Sequence, residues 1–209
     1  LGVGNFFGVM PRAMREGSAL TGIELDTLTA RIAKQLYQSA DIRQAGFQDA
    51  LLADNFFDLA VSNVPFGSYS VHDPRYNRYH FPIHTYFFAK ALDKVRPGGL
   101  VAFITSTYTM DSANSRQREY LAMHADLVGA IRLPQRTFER VAGTEVATDI
   151  LFLRKHGPDL PVLQGAPSSF SSLETLPGSD IAVNEYFAAH PEMMLGTMER
   201  AGTMYRRGD

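Results

Sequence analysis

The 209-residue chain contains no cysteine, which excludes disulfide frameworks, thiolate zinc sites and cysteine nucleophiles together. Long apolar runs are also lacking, since the longest, such as residues 99–104, are far too short to span a bilayer. No basic segment followed by an apolar one opens the chain, so no secretion signal is visible. The net charge of −2 argues against a general coat of positive charge for nucleic acid but leaves room for a local site.

The composition that is present indicates one globular domain of ordinary size, with 45% hydrophobic and 20% charged residues. Strand-like and helix-like segments alternate up to about residue 133, which predicts βαβ crossovers and a mainly parallel α/β sheet. The last two strands have a shorter connection, which predicts an antiparallel edge hairpin. The predicted helices cover residues 5–16, 28–37, 82–95 and 111–124, and the predicted strands cover residues 19–25, 42–47, 57–61, 100–105, 127–133 and 146–153.

The two ends of the chain differ from this core. From Gly157 onward, proline and serine become frequent, which predicts a core at residues 1–156 and a linker-like tail at residues 157–209. At the other end, a glycine turn follows Leu1 directly, although such turns normally follow a strand. We therefore expect the chain to be cut from something longer and to lack the first central strand of its sheet.

The glycine turn at residues 2–8 has the pattern G-x-G-N-F-F-G. A dinucleotide-binding turn needs its third glycine at position 7, where this chain has Phe7. The spacing therefore favours a cofactor without a pyrophosphate, held by Gly2, Val3 and Gly4. A plain strand-to-helix turn is the alternative interpretation.

Two acidic residues follow the next two predicted strands, where ligands of open α/β sheets bind. Glu24 lies twenty positions after Gly4, and its carboxylate could accept hydrogen bonds from both hydroxyls of a ribose. Asp49 could accept a hydrogen bond from an exocyclic amine. A solvated acid at the end of a strand and a helix cap are the respective alternatives.

The most specific motif is Asn63-Val64-Pro65-Phe66, directly after a predicted strand. An aromatic or amide NH2 group is a poor nucleophile because its lone pair is delocalised, and two acceptors that bind both N–H groups localise that lone pair. The Asn63 amide oxygen and the Val64 carbonyl could be those acceptors, and Pro65 restricts the backbone that holds the carbonyl. Phe66 offers a ring face to a planar substrate. The alternative is a turn plugged by Pro65 and Phe66.

The long loop after this motif mixes aromatic and arginine side chains, which suit a base swung out of a duplex and its phosphates. Its candidate substrate-binding residues are Tyr69, Arg75, Arg78 and Tyr79. A loop packed down by its own aromatic rings is the alternative. Further along, arginines that could touch phosphate, or lie on a solvated face, are Arg132, Arg136 and Arg140. No zinc-ligand spacing is present, so we expect no metal site.

The ordered motifs resemble the adenine-N6 DNA methyltransferases, which use S-adenosylmethionine and carry the signature (Asn/Asp/Ser)-Pro-Pro-(Tyr/Phe/Trp). The wider segments SNVPFGSY, HTYFFAKALDKVRPGGLVAFITSTYTMD, GTEVATDILFLRK and NEYFAAHPEMMLG resemble the methylase region of very large helicase–methyltransferase proteins of phages and mobile elements. Val64 replaces the usual first proline, which removes stiffness but keeps the carbonyl. The resemblance covers nearly the whole chain.

The resemblance implies a Rossmann-like methyltransferase fold and roles for the matching residues. Gly2, Val3 and Gly4 would line the methionine part of S-adenosylmethionine, Glu24 would hold its ribose, and Asp49 would bind its adenine. The target base would lie against residues 63–66.

The implied function is methylation of the N6 amine of adenine in double-stranded DNA by a cytoplasmic, bacterial or phage-encoded protein of modification or antirestriction. Its partners would be DNA and the helicase and target-recognition regions of the same longer chain. Two alternatives remain: the same chemistry on an rRNA base or a protein glutamine amide, and a non-catalytic DNA-docking module.

Overall fold

The computed structural model describes residues 1–67, 69–134, 137, 147–161 and 170–196. The helices in this part of the chain are α1 (Asn5–Val9), α2 (Arg12–Glu16), α3 (Thr27–Leu36), α4 (Ile83–Lys94), α5 (Tyr108–Asp111), α6 (Arg116–His124) and α7 (Glu185–Ala189), with 3-10 turns at Asn77–Tyr79 and Pro191–Met193. The strands are β1 (Thr21–Glu24), β2 (Asp41–Gln44), β3 (Phe57–Asn63), β4 (Val95–Ser106), β5 (Ala125–Leu133), β6 (Thr148–Lys155), β7 (Leu173–Thr175) and β8 (Ala182–Asn184).

Local backbone chemistry explains where the helices begin and end. The α3 helix starts where the Asp26 carboxylate accepts a hydrogen bond from the Thr29 N–H at 2.8 Å. The single helix predicted at residues 5–16 is wrong, because Met10 is extended and Pro11 has no N–H, so two short helices form. The helix predicted at residues 111–124 is likewise divided, at the extended backbone of Ser112. None of the described helices is long and apolar enough to cross a bilayer.

The central sheet has the strand order β3-β4-β6-β5. Strand β3 pairs in parallel with β4, whereas β6 runs antiparallel to both β4 and β5. Strands β1 and β2 form a separate parallel pair. The predicted α/β class is confirmed, and the β5–β6 pair is the expected antiparallel hairpin at the edge. Strand β6 lies between β4 and β5, so it is the one described strand of the central sheet that runs against the others.

The hydrophobic core covers the central sheet and includes part of the segment predicted to be a linker-like tail. Phe170, Val183 and Phe187 are almost fully buried in the same cluster as Phe88 of α4 and Leu151 of β6. Residues 170–196 therefore pack as part of the core, since their apolar side chains find partners far away in the sequence. A domain boundary at residue 156 stays a prediction.

Candidate functional site

The glycine turn and Glu24, which lie far apart in sequence, meet at the carboxyl end of β1. The Gly2 N–H donates to Oε2 of Glu24 at 2.7 Å, and the Asp26 N–H donates to Oε1 at 2.9 Å. Burial raises the pKa of Glu24, but these backbone hydrogen bonds and the N-terminal ammonium of Leu1 together outweigh burial and hold the pKa below its ordinary value. Gly4 has a φ of +90°, and a Cβ there would overlap the Tyr37 ring. The ionised carboxylate of Glu24 therefore lies beside a turn that requires glycine at position 4.

Asp49 lies beyond the same sheet edge. Strands β1 and β2 end in register at Glu24 and Gln44, and Asp49 follows in the turn after β2. Its side chain is exposed and accepts a hydrogen bond from Nε2 of Gln48 at 2.9 Å. No helix starts there, because the next element is β3, so the helix-cap interpretation is wrong.

The Asn63 motif leaves the carboxyl end of β3 with its backbone held in place. Asn63 is the last residue of β3, in register with Ile104 of β4, and the Val64 N–H donates to the Ile104 carbonyl at 3.0 Å. The Val64 side chain is buried and Phe66 packs against the main core. The Asn63 side chain is exposed and makes no hydrogen bond to the described residues. The motif thus presents an exposed amide from a fixed backbone.

The four residues predicted to bind the substrate do not form one free surface. The Arg75 guanidinium forms ion pairs with Asp54 at 2.7 Å and with Asp93 at 3.0 Å. Arg78 donates to the Tyr79 hydroxyl at 2.6 Å. The Tyr79 ring stacks on Phe81, with ring centroids 5.0 Å apart. Tyr69 remains more than half exposed. Arg75 is therefore tied to carboxylates of the protein, and the aromatic rings of the loop pack partly on one another.

Arg132 is neither a phosphate contact nor part of a solvated face. Its Nε and Nη2 atoms donate to the two carboxylate oxygens of Asp149 at 2.8 and 2.9 Å, and Nη1 lies 2.8 Å from Asp111. The guanidinium also covers the Phe187 ring at 4.3 Å. Sequence reasoning missed this buried pair because its members lie on different strands. Arg136 and Arg140 lie outside the described residues.

Helix α4 carries buried polar groups to which the sequence analysis gave no role. His84, in its first turn, is buried with no partner for Nε2 among the described residues, and burial lowers the pKa of the imidazole. Two turns further on, Lys90 is buried against Asp73 and Tyr86. The sequence signal that could have identified Lys90 is its position inside the otherwise apolar run of residues 86–92. No group of three metal-binding side chains occurs in the described part of the chain.

Solved structures of other proteins share this fold. A protein of Listeria monocytogenes assigned to the class I S-adenosylmethionine-dependent methyltransferases superposes with a TM-score of 0.63 and 20% identity, over 78% of this chain and 54% of that one. A modification subunit assigned to a type I restriction enzyme of Vibrio vulnificus gives 0.58 and 21%, over 75% and 39%. The chain therefore has the Rossmann-like fold seen in S-adenosylmethionine-dependent methyltransferases.

The sequence comparisons then give the family. Residues 14–165 match the model of the N-6 DNA Methylase family, which is more than half of the chain. The chain belongs to the N-6 DNA methylase family. It is also 28% identical over 160 residues to the Defense against restriction protein B of Escherichia phage P1. That alignment covers 73% of this chain but only 7% of the phage protein, so the chain spans a small part of that relative.

Proposed function

We propose that this chain transfers a methyl group from S-adenosylmethionine to the N6 amine of adenine in DNA. The observation that carries this proposal is the Asn63 motif at the carboxyl end of β3. Its exposed amide lies beside a backbone fixed by the bond from the Val64 N–H to Ile104 and by the packing of Phe66. Membership of the N-6 DNA methylase family supports the choice of base.

The chemistry required of the motif is hydrogen bonding and orientation. The Asn63 amide oxygen and the Val64 carbonyl each accept one N–H of the target amine, which returns electron density to its nitrogen. Phe66 supports the plane of the base. The cofactor supplies an activated methyl group, so the protein needs no strong base and acts mainly by positioning its dipoles.

The other end of the site fits the cofactor. The Glu24 carboxylate is ionised and keeps acceptor capacity beyond its two backbone hydrogen bonds, as binding of ribose hydroxyls requires. Gly2 donates to this carboxylate, and the turn of Gly2, Val3 and Gly4 suits the methionine part. The exposed carboxylate of Asp49 suits the adenine amine.

The larger assembly is also part of the proposal. The resemblance to a phage protein of which this chain covers 7% supports a role inside a long polypeptide for modification or antirestriction. Helicase and target-recognition regions of that polypeptide would bring double-stranded DNA to the site. Of the residues predicted to contact the substrate, we retain Tyr69, Arg78 and Tyr79 and assign Arg75 to holding the loop.

The test compares wild-type protein with Asn63→Ala, in the protein purified with its natural flanking sequence and with labelled S-adenosylmethionine and unmethylated DNA. We expect label on adenine N6 with the wild type and a loss of about a hundredfold or more with the variant. Gln38→Ala is the matched control, because it removes an exposed amide just beyond the end of α3. Undiminished transfer by Asn63→Ala would refute the mechanism.

The same assay separates the alternatives. Label on rRNA or on a glutamine amide, with none on DNA, would keep the chemistry and change the substrate. Calorimetry that detects DNA binding but no binding of S-adenosylmethionine would identify a non-catalytic docking module instead.

A further inference from the structure

Lys90 of α4 joins two loops that approach the site from different parts of the chain. Its Nζ atom donates to the backbone carbonyl of Gln48 at 2.9 Å and to Oδ2 of Asp73 at 2.9 Å. Gln48 belongs to the cofactor-side turn, residues 46–49, which contains Asp49. Asp73 belongs to the target loop, residues 69–82, which contains the predicted substrate-binding residues. One ammonium group therefore bonds directly to both segments.

Asp73 holds the target loop around this contact. Its Oδ2 also accepts a hydrogen bond from the Tyr86 hydroxyl at 2.9 Å, and its Oδ1 accepts one from the Arg75 N–H at 3.2 Å. The Asp73 N–H donates to the Asn77 side chain at 2.9 Å. Movement of the Asp73 carboxylate would thus shift the loop backbone on both sides of it.

The Lys90–Asp73 pair is buried, with side-chain exposures of 6% and 9%. Taking both charges out of water carries a desolvation cost, and apolar residues of similar volume often replace such pairs without loss of stability. Stability alone therefore does not account for a lysine here. The Lys90 Nζ atom also lies 5.3 Å from the centroid of the Phe47 ring, which belongs to the cofactor-side turn.

We propose that Lys90 is a positioning residue that couples the cofactor-side turn to the target loop. Ligand binding that orders one segment orders the other through the shared ammonium group. This inference rests on the proposed function for the identity of the two ligands, while the link between the two segments is a property of this chain alone.

Lys94 provides a matched control on the same helix. It lies one turn further along α4, and its Nζ donates to the Leu52 carbonyl at 2.9 Å and to Asp54. Like Lys90, it binds a backbone carbonyl and a carboxylate, but it makes no contact with residues 46–49. Lys94→Met therefore removes an equivalent charge and an equivalent set of bonds while leaving the junction intact.

The first test is hydrogen exchange of the ligand-free protein, with its natural flanking sequence, in wild type, Lys90→Met and Lys94→Met. Loss of a charge-assisted hydrogen bond leads us to expect about tenfold faster exchange in both residues 46–49 and 69–82 for Lys90→Met. Lys94→Met should leave residues 46–49 at the wild-type rate. Asp73→Asn should speed exchange in the target loop alone, because the bond from Lys90 to Gln48 remains. Equal exchange of wild type and Lys90→Met in either segment would overturn the proposal.

The second test adds S-adenosylhomocysteine as the probe. We expect protection of both segments in the wild type and of residues 46–49 alone in Lys90→Met. Protection of both segments in the variant would overturn the coupling. If the wild type shows no protection anywhere, the cofactor part of the proposed function fails, and the ligand-free comparison still decides whether Lys90 joins the two segments.

Discussion

Replacing Asn184 with alanine tests whether residues 170–196 are part of the folded core. The Asn184 side chain is fully buried, and its Nδ2 donates to the carbonyls of Phe170 at 2.8 Å and Met110 at 3.2 Å. Its Oδ1 accepts from the Tyr186 N–H at 3.1 Å and caps helix α7. Alanine would remove all three hydrogen bonds and leave their partners buried.

The magnitude follows from these contacts. Loss of a helix cap costs about 1 kcal/mol. Each carbonyl left without its donor costs about 1–3 kcal/mol, and less where the other bonds of that group can adjust. We therefore expect Asn184→Ala to lower the free energy of unfolding by about 3–5 kcal/mol, which is a large fraction of the total for a domain of this size.

Urea unfolding followed by circular dichroism measures this change. The expected result is a lower midpoint with an unchanged slope. Asn63→Ala is the control, because that exposed side chain makes no hydrogen bond to the described residues and should change stability by less than about 0.5 kcal/mol. A change of that small size for Asn184→Ala would refute the reasoning and return residues 170–196 to the status of a linker.

Two further predictions concern carboxylates. Glu24→Gln should weaken S-adenosylhomocysteine binding about tenfold in calorimetry, because a neutral amide accepts weaker hydrogen bonds from ribose, while the exposed Glu16→Gln should not. Equal affinity for Glu24→Gln would contradict its role. Burial raises the pKa of Asp73, but hydrogen bonds from Lys90 and Tyr86 lower it by more than burial raises it. The pKa of Asp73 therefore lies below its ordinary value of 3.8. The contribution of the Asp73 carboxylate to stability is fully present above pH 3.8 and is lost as the pH falls through the lowered folded-state pKa. The free energy of unfolding, measured down to about pH 3, should therefore be less acid-sensitive in Asp73→Asn than in the wild type. Parallel pH profiles for the two proteins would contradict this.

Much of the candidate site could be predicted because its signals are local. An apolar strand followed by Asn63-Val64-Pro65-Phe66 predicts where β3 ends, and β3 does end at Asn63. The position of Glu24 follows in the same way from the strand before it. Parallel pairing brings the ends of β1 and β2 to one edge, and likewise the ends of β3 and β4.

The partners of buried charges could not be predicted, because charge alone does not reveal burial. Arg75 and Arg132 both looked available for phosphate. Arg75 instead pairs with Asp54 and Asp93, and Arg132 with Asp149, over sequence separations of about twenty residues. These pairs depend on which loop crosses which helix and which strands are neighbours.

By itself, the sequence determined the α/β class, the antiparallel hairpin, the glycine turn and the motif at the end of β3, because each rests on residues that are adjacent along the chain. Only the tertiary structure decided that β6 lies between β4 and β5, that Lys90 joins two loops, and that residues 170–196 complete the core. The physical reason is that burial depends on partners distant in the sequence. Phe187 is a core residue because α7 packs against the central sheet, and nothing in its own neighbourhood of the chain requires that.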